Sequence, residues 1–352
     1  MHSKQGVLYK ETFMIDITAI VKNTNAYRII ESDKRAGSLS HAYLILCQDK
    51  AMLKGYVKEL ARLMCCSTSG VCGECRNCSL IGQEIHPDVI FYPQVKKGEK
   101  DKDNKKANGS ITAEEVLSLI EESYLRPVEN DKKVFVILNA QEMNAVSQNK
   151  LLKTLEEPPK NVHIILGATN EHALLSTVKS RVKKIEIPAF ESKFIEKVLE
   201  SVCPDKQKLS LAISCGDGSI GKALALYDDN GLQVVTDLVI DMLVNMNSSK
   251  DVLAYSTKIQ SSKVELDQFL AVTELLLRDM LVLEQGKAEL VSNKQAIKLL
   301  NRAQKFNTGA ILNALDAVLD AGKRRKFNVN ETAVIEWLLF QILEGKYKWQ
   351  KF

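Results

Sequence analysis

The sequence contains no run of eighteen apolar residues, so it offers no apolar transmembrane helix. Its start, "MHSKQGVLYKETFMIDITAIV", meets Lys and Glu before any apolar core forms, unlike a secretory signal. An excess of one charge is also missing: a net charge of +4 selects neither nucleic acid nor a membrane surface by itself. A cytoplasmic globular protein is the expectation, and 45% hydrophobic with 26% charged residues suits one. A further absence is local. The stretch "HAYLILCQDKAMLKGYVKELA" (41–61) reads as strand, turn and amphipathic helix, the arrangement at which many proteins hold a nucleotide phosphate. Yet its turn, Cys47 to Lys54, has no glycine.

What is present points to an α/β fold followed by helices. The runs "AYLIL" (42–46), "DVIFY" (88–92), "KVFVIL" (133–138), "VHIILG" (162–167) and "KKIEI" (183–187) are nearly continuous and apolar. Such runs suit strands of a parallel sheet buried on both faces. Helical patterns over roughly 52–64, 112–124 and 145–156 alternate with them, the second opening on a capping box from Thr112 to Glu115. After Pro188 no β-rich run appears, and amphipathic patterns continue to the end. At 352 residues, two or three domains can each bury a core. The lysine-rich segment 96–110 reads as a solvated surface loop, with a basic finger touching DNA phosphates as the sharper alternative.

Of the 8 cysteines, Cys65, Cys66, Cys72, Cys75 and Cys78 share one short segment. In a reducing compartment such clustering favours a metal over disulfides. Two-residue spacers let Cys72, Cys75 and Cys78 fold around a point, and Cys65 or Cys66 supplies the fourth thiolate. Zinc is the expected occupant, with an iron–sulfur cluster as rival. Four thiolates leave no coordination position for water, so the role is structural.

The segment "NKLLKTLEEPPKNVHIILGATNEHALLSTVKSRVKKIEIP" (149–188) resembles the clamp-loader branch of the AAA+ family. "SHAYLIL" (40–46), the cysteine module and "GSIGKALAL" (218–226) add to the resemblance. It implies an α/β AAA+ domain over 1–188 with a four-cysteine zinc module at about 65–78, a small helical lid over 189–230 and an all-α collar over 231–352. The family's spacing favours Cys66 over Cys65, giving Cys66, Cys72, Cys75 and Cys78 as zinc ligands.

Departures from the family pattern carry as much information. An active site of this kind needs G-x-x-x-x-G-K-[ST], because glycine N–H groups wrap the phosphates while Lys and Ser/Thr meet phosphate and Mg²⁺. Here the glycine positions fall on Cys47, Lys50 and Met52, and the Lys and Thr positions on Leu53 and Lys54. After "KVFVIL", where the metal-holding acids belong, stands Asn139-Ala140-Gln141-Glu142. The resemblance therefore implies a subunit of the bacterial DNA polymerase III clamp loader that does not hydrolyse ATP. It further implies ATPase (tau/gamma) and delta subunits as partners in a hetero-pentamer that acts on a sliding clamp and primed DNA, with no membrane partner. Ser180-Arg181-Val182 stands where the branch has Ser-Arg-Cys, whose arginine reaches a neighbour's ATP. Arg181 is thus the expected arginine finger in trans, beside Ser180, and no residue is expected to be catalytic in cis.

Other features have blander expectations. His41 and His163 lack a partner at catalytic spacing and read as structural. Glu156 and Glu157 close a helix at the end where acids are disfavoured, which points to a partner such as a basic residue of an adjacent subunit. "KRRK" (323–326) reads as a solvated face or a DNA-backbone contact. Two competing functions remain on the sequence alone: an ATP-hydrolysing subunit of the same fold, and a stand-alone zinc-ribbon DNA-binding protein.

Overall fold

A computed structural model describes residues 7–9, 13–94, 111–229, 231–262, 264–291, 306–326 and 329–348. The charged segment 96–110 lies outside them, as do the side chains of Arg325 and Lys326. The chain separates into two compact units, Met1–Glu191 and Ser192–Phe352.

In the first unit, a short antiparallel pair, β1 (Val7–Tyr9) and β2 (Phe13–Ile15), precedes helices Ile17–Lys22 and Asn25–Arg35. Then come β3 (Ala42–Cys47), β4 (Val89–Tyr92), β5 (Lys133–Ile137), β6 (Val162–Ala168) and β7 (Lys183–Ile187). These five form one sheet in the order β4-β5-β6-β3-β7, with every neighbouring pair parallel. All residues of β3 and β5 are buried, as befits strands covered on both faces. At the edge, β7 alternates, exposing Lys183, Lys184 and Glu186 and burying Ile185 and Ile187. Charges on an edge strand discourage pairing with another chain.

Helices Lys50–Cys65, Arg76–Gly82, Ala113–Ser123 and Ala145–Glu156 lie between the strands. One core joins Leu44, Phe135, Ile164 and Leu166 of the sheet to Val116, Leu119, Leu151 and Leu155 of the last two. Helix Lys50–Cys65 comes so close to β6 that a Cβ on Gly167 would lie 3.1 Å from Val57 and 3.5 Å from Leu53. Glycine there sets how deeply the helix seats.

Among the described residues the second unit is all helical, starting with Ser192–Leu199, Lys206–Ser214 and Ile220–Asp228. Longer helices follow at Gly231–Asn245, Ser249–Ser261, Leu266–Glu284, Thr308–Lys326 and Glu331–Lys348. Lys346 is 1% exposed and donates from Nζ to the carbonyls of Leu243 and Met246, both at 2.8 Å. It thereby satisfies acceptors that the end of helix Gly231–Asn245 would otherwise leave unpaired. Within "KRRK", Lys323 pairs with Asp320 at 3.0 Å and the Arg324 guanidinium lies 4.0 Å from the Trp337 ring centroid.

Candidate functional site

The turn between β3 and its helix is only two residues long, Gln48 and Asp49. Helix Lys50–Cys65 begins at once, capped by Asp49, whose carboxylate accepts the Met52 N–H at 3.2 Å. Asp49 is 6% exposed, and Met52 and Leu53 are each 2% exposed. Of the positions that would wrap a phosphate, Met52 and Leu53 are therefore already helical and packed. A fixed carboxylate also stands where helix N–H groups would meet an anion. Burial pushes the Cys47 thiol up to about 12, so it remains neutral.

Beyond its last residue, β5 leads to Asn139, which adopts a left-handed conformation (φ 53°, ψ 43°) that a short amide side chain tolerates. The 3-10 turn Ala140–Glu142 follows. Glu142 pairs with Lys50 at 3.4 Å, and Gln141 Oε1 accepts the Thr169 N–H at 3.2 Å. The helix and the 3-10 turn are thus joined by an ion pair between the first residue of one element and the last of the other.

Arg181 follows the short helix Ser176–Lys179. Its Nη2 lies 2.6 Å from Glu156 Oε1, and its Nη1 donates to the Thr177 carbonyl at 2.9 Å and to Ser180 Oγ at 3.2 Å. The expected partner of Glu156 is therefore found within the same chain, not on an adjacent subunit. His41 Nε2 donates to the Arg181 carbonyl at 3.0 Å, and His163 Nδ1 donates to the Ser40 carbonyl at 2.8 Å. Both histidines stitch neighbouring strands of the sheet.

The sulfurs of Cys66, Cys72, Cys75 and Cys78 all lie within 4.8 Å of one another. Cys66–Cys72 is 3.5 Å, and Cys66–Cys75 and Cys72–Cys78 are each 3.9 Å. A tetrahedron with Zn–S bonds of about 2.3 Å has S···S edges of about 3.8 Å, so the cluster fits zinc. Burial opposes charge on Cys75, but N–H donors of Cys78 and Ser67 and neighbouring thiols outweigh it, bringing the pKa to about 6. On Cys66, burial is likewise outweighed by bonds from Thr68 and Cys72, and the pKa falls below the ordinary thiol value. Burial instead raises Cys78. Cys65 stands outside this group, its thiol raised to about 12 by burial.

Several residues that support the cluster carry no signal in the cysteine spacing. Lys34 Nζ donates to the carbonyls of Cys66 (2.6 Å), Thr68 (2.7 Å) and Leu63 (2.8 Å). Arg62 donates from Nε to the Cys78 carbonyl at 2.9 Å and pairs with buried Glu59 at 2.7 Å. Asn77 donates to the Cys65 carbonyl at 2.7 Å and accepts from His86 Nε2 at 3.2 Å. Bonds to these backbone carbonyls hold the ligand-bearing loops in place, so the thiolates converge on a prepared site.

A family model described as DNA polymerase III, delta subunit, matches residues 22–191, a span that contains the phosphate-site turn, the cysteine cluster and Arg181. DNA polymerase III subunit delta' of Bacillus subtilis (strain 168) is 26% identical over 330 residues, 91% of this chain and 94% of that one. Over most of its length the chain is thus similar to the clamp-loader subunits of DNA polymerase III. Among these subunits, delta' of Yersinia pestis is 31% identical over 159 residues, covering 44% of each chain. Subunit tau of Escherichia coli (strain K12) is 26% identical over 227 residues, 61% of this chain but only 33% of tau. Among the described residues, no helix is long and apolar enough to cross a membrane.

Proposed function

We propose that this chain is a delta-prime-type clamp-loader subunit that does not hydrolyse ATP and that lends Arg181 to the ATP site of a neighbouring subunit. The observation that carries this reading is the Gln48-Asp49 turn. A helix that starts at Lys50 with a carboxylate on its N–H groups has no loop to wrap a phosphate. Asn139 adds no carboxylate for Mg²⁺, and Glu142 is engaged by Lys50.

Arg181 suits work in trans. Its fork is anchored on one side by Thr177 and Ser180, and the side chain is 34% exposed. A guanidinium offered this way meets the charge that spreads over phosphoryl oxygens during transfer. The partners in this reading are the ATPase (tau/gamma) and delta subunits of a hetero-pentamer that loads a sliding clamp on primed DNA in the cytoplasm. Residues 1–188 form its AAA+-like domain, 189–230 a lid and 231–352 a collar for oligomerisation. Zinc on Cys66, Cys72, Cys75 and Cys78 fixes the projecting module.

The test is a complex reconstituted with the ATPase and delta subunits. Arg181→Ala should leave assembly intact and silence the one ATP site that the arginine faces, by about 10³-fold or more at that site. Wild-type turnover and clamp loading in this variant would remove the arginine-finger role, and Mg-ATP turnover by the purified chain would remove the non-hydrolysing one.

A further inference from the structure

Glu156 sits where helix energetics do not favour it. It is the last residue of helix Ala145–Glu156, at the end whose carbonyls repel a carboxylate, and Pro158 and Pro159 follow. Its compensation is Arg181, 2.6 Å away. The other acceptors of the guanidinium, the Thr177 carbonyl and Ser180 Oγ, are neutral and belong to the arginine's own turn. Glu156 alone is charged and comes from a different element. Side chains of the pair are 34% and 47% exposed, so an incoming group can reach them.

We propose that Glu156 is a positioning residue that holsters Arg181 until a phosphate displaces it, an inference that rests on the reading of Arg181 as an arginine finger. Without a neighbour's nucleotide, the carboxylate neutralises the guanidinium and keeps Nη2 turned toward its own chain. A triphosphate brings more charge and more acceptor oxygens than one carboxylate, so it takes the Nη2 edge while Thr177 and Ser180 retain Nη1. An ion pair this exposed is weak enough to exchange. Glu156 therefore competes with the phosphate, and Glu156→Gln, which keeps the shape and removes the charge, releases the arginine early.

Two measurements test this. In the isolated full-length chain, phenylglyoxal labelling followed peptide by peptide should modify Arg181 several-fold faster in Glu156→Gln than in wild type. Added salt should speed the wild type and not the variant. In the reconstituted complex, the same substitution should lower KM for ATP about two- to fivefold, the range of an exposed ion pair, while kcat moves less. It should do nothing when Arg181 is already alanine. Unchanged labelling in the isolated chain overturns the holster whatever the arginine does in the complex. Faster labelling with an unchanged KM overturns the competition with phosphate, even if Arg181→Ala still lowers turnover. Arg181→Ala without effect on turnover removes the arginine finger, and the holster's purpose with it.

Discussion

Stripping the metal from the cysteine cluster should destabilise the first unit by a measurable and bounded amount. The four sulfurs already stand 3.5–3.9 Å apart along three of their edges and within 4.8 Å along all, and Lys34, Arg62 and Asn77 hold the backbone around them. Little ordering cost is then left for zinc to offset, and its affinity appears as stability of the folded state. At free zinc a thousandfold above Kd, that stabilisation is about 4.1 kcal/mol. For a unit of 150–250 residues, each kcal/mol moves Tm by about 2–4 °C, so chelation should lower Tm by about 8–16 °C. Calorimetry of the full chain before and after chelation, with metal content measured alongside, gives the comparison. About one zinc per chain is expected, retained in Cys65→Ser and lost in Cys75→Ser. A chain that purifies without metal from zinc-replete medium, or a Tm that chelation leaves unmoved, would refute the reasoning.

Two further perturbations probe the scaffold. Lys346→Met keeps the buried volume but leaves the Leu243 and Met246 carbonyls without their donor, which should cost about 2–4 kcal/mol. An unchanged urea midpoint for the helical unit would contradict it. Burial holds the His163 pKa below its ordinary 6.5, so the unfolded chain takes up the proton first. The contribution of His163 is complete above pH 6.5 and is lost as pH falls toward the folded pKa, with His86 acting in the same direction. His163→Gln should flatten part of the fall in urea midpoint between pH 7.5 and 5, and an identical slope would count against the assignment.

Much of the first unit was legible because parallel strands buried on both faces leave apolar runs. The run 42–46 became β3 (Ala42–Cys47), and 183–187 became β7 without a shift. The helix expected at about 52 begins at Lys50 because Asp49 caps it, a signal masked by reading the turn as a decayed phosphate loop. Helices Ile17–Lys22 and Asn25–Arg35 also had readable caps in Asp16 and Thr24, but β1 and β2 are too short for an alternating pattern to stand out. The cysteine spacing announced a metal site while leaving two choices for one ligand. Geometry distinguishes them, since Cys66 Sγ joins the other three and Cys65 is buried away from them. Lys34, about thirty residues earlier, was invisible to spacing because its partners are backbone carbonyls, which no side-chain pattern records.

The phosphate site differs from a merely weakened one. Loss of glycine alone would leave a loop of poor shape; here the chain has spent those residues on a longer helix. Leu53, at the position of the family's phosphate-binding lysine, is 2% exposed and would lie 3.5 Å from a Cβ on Gly167 of β6. A lysine in its place would bury a charge against the sheet, not direct it toward an anion. The available lysine, Lys50, is instead paired with Glu142 at the end of the β5 turn, and Asp49 holds the helix N-terminus. Lys50, Glu142 and the N-terminus of the helix are thus engaged by the protein's own groups. Regaining a phosphate site would require a new loop, a shorter helix and a repacked β6 face together. Under the function proposed above, such a fold is kept for the surfaces it presents to neighbours, with Arg181 among them.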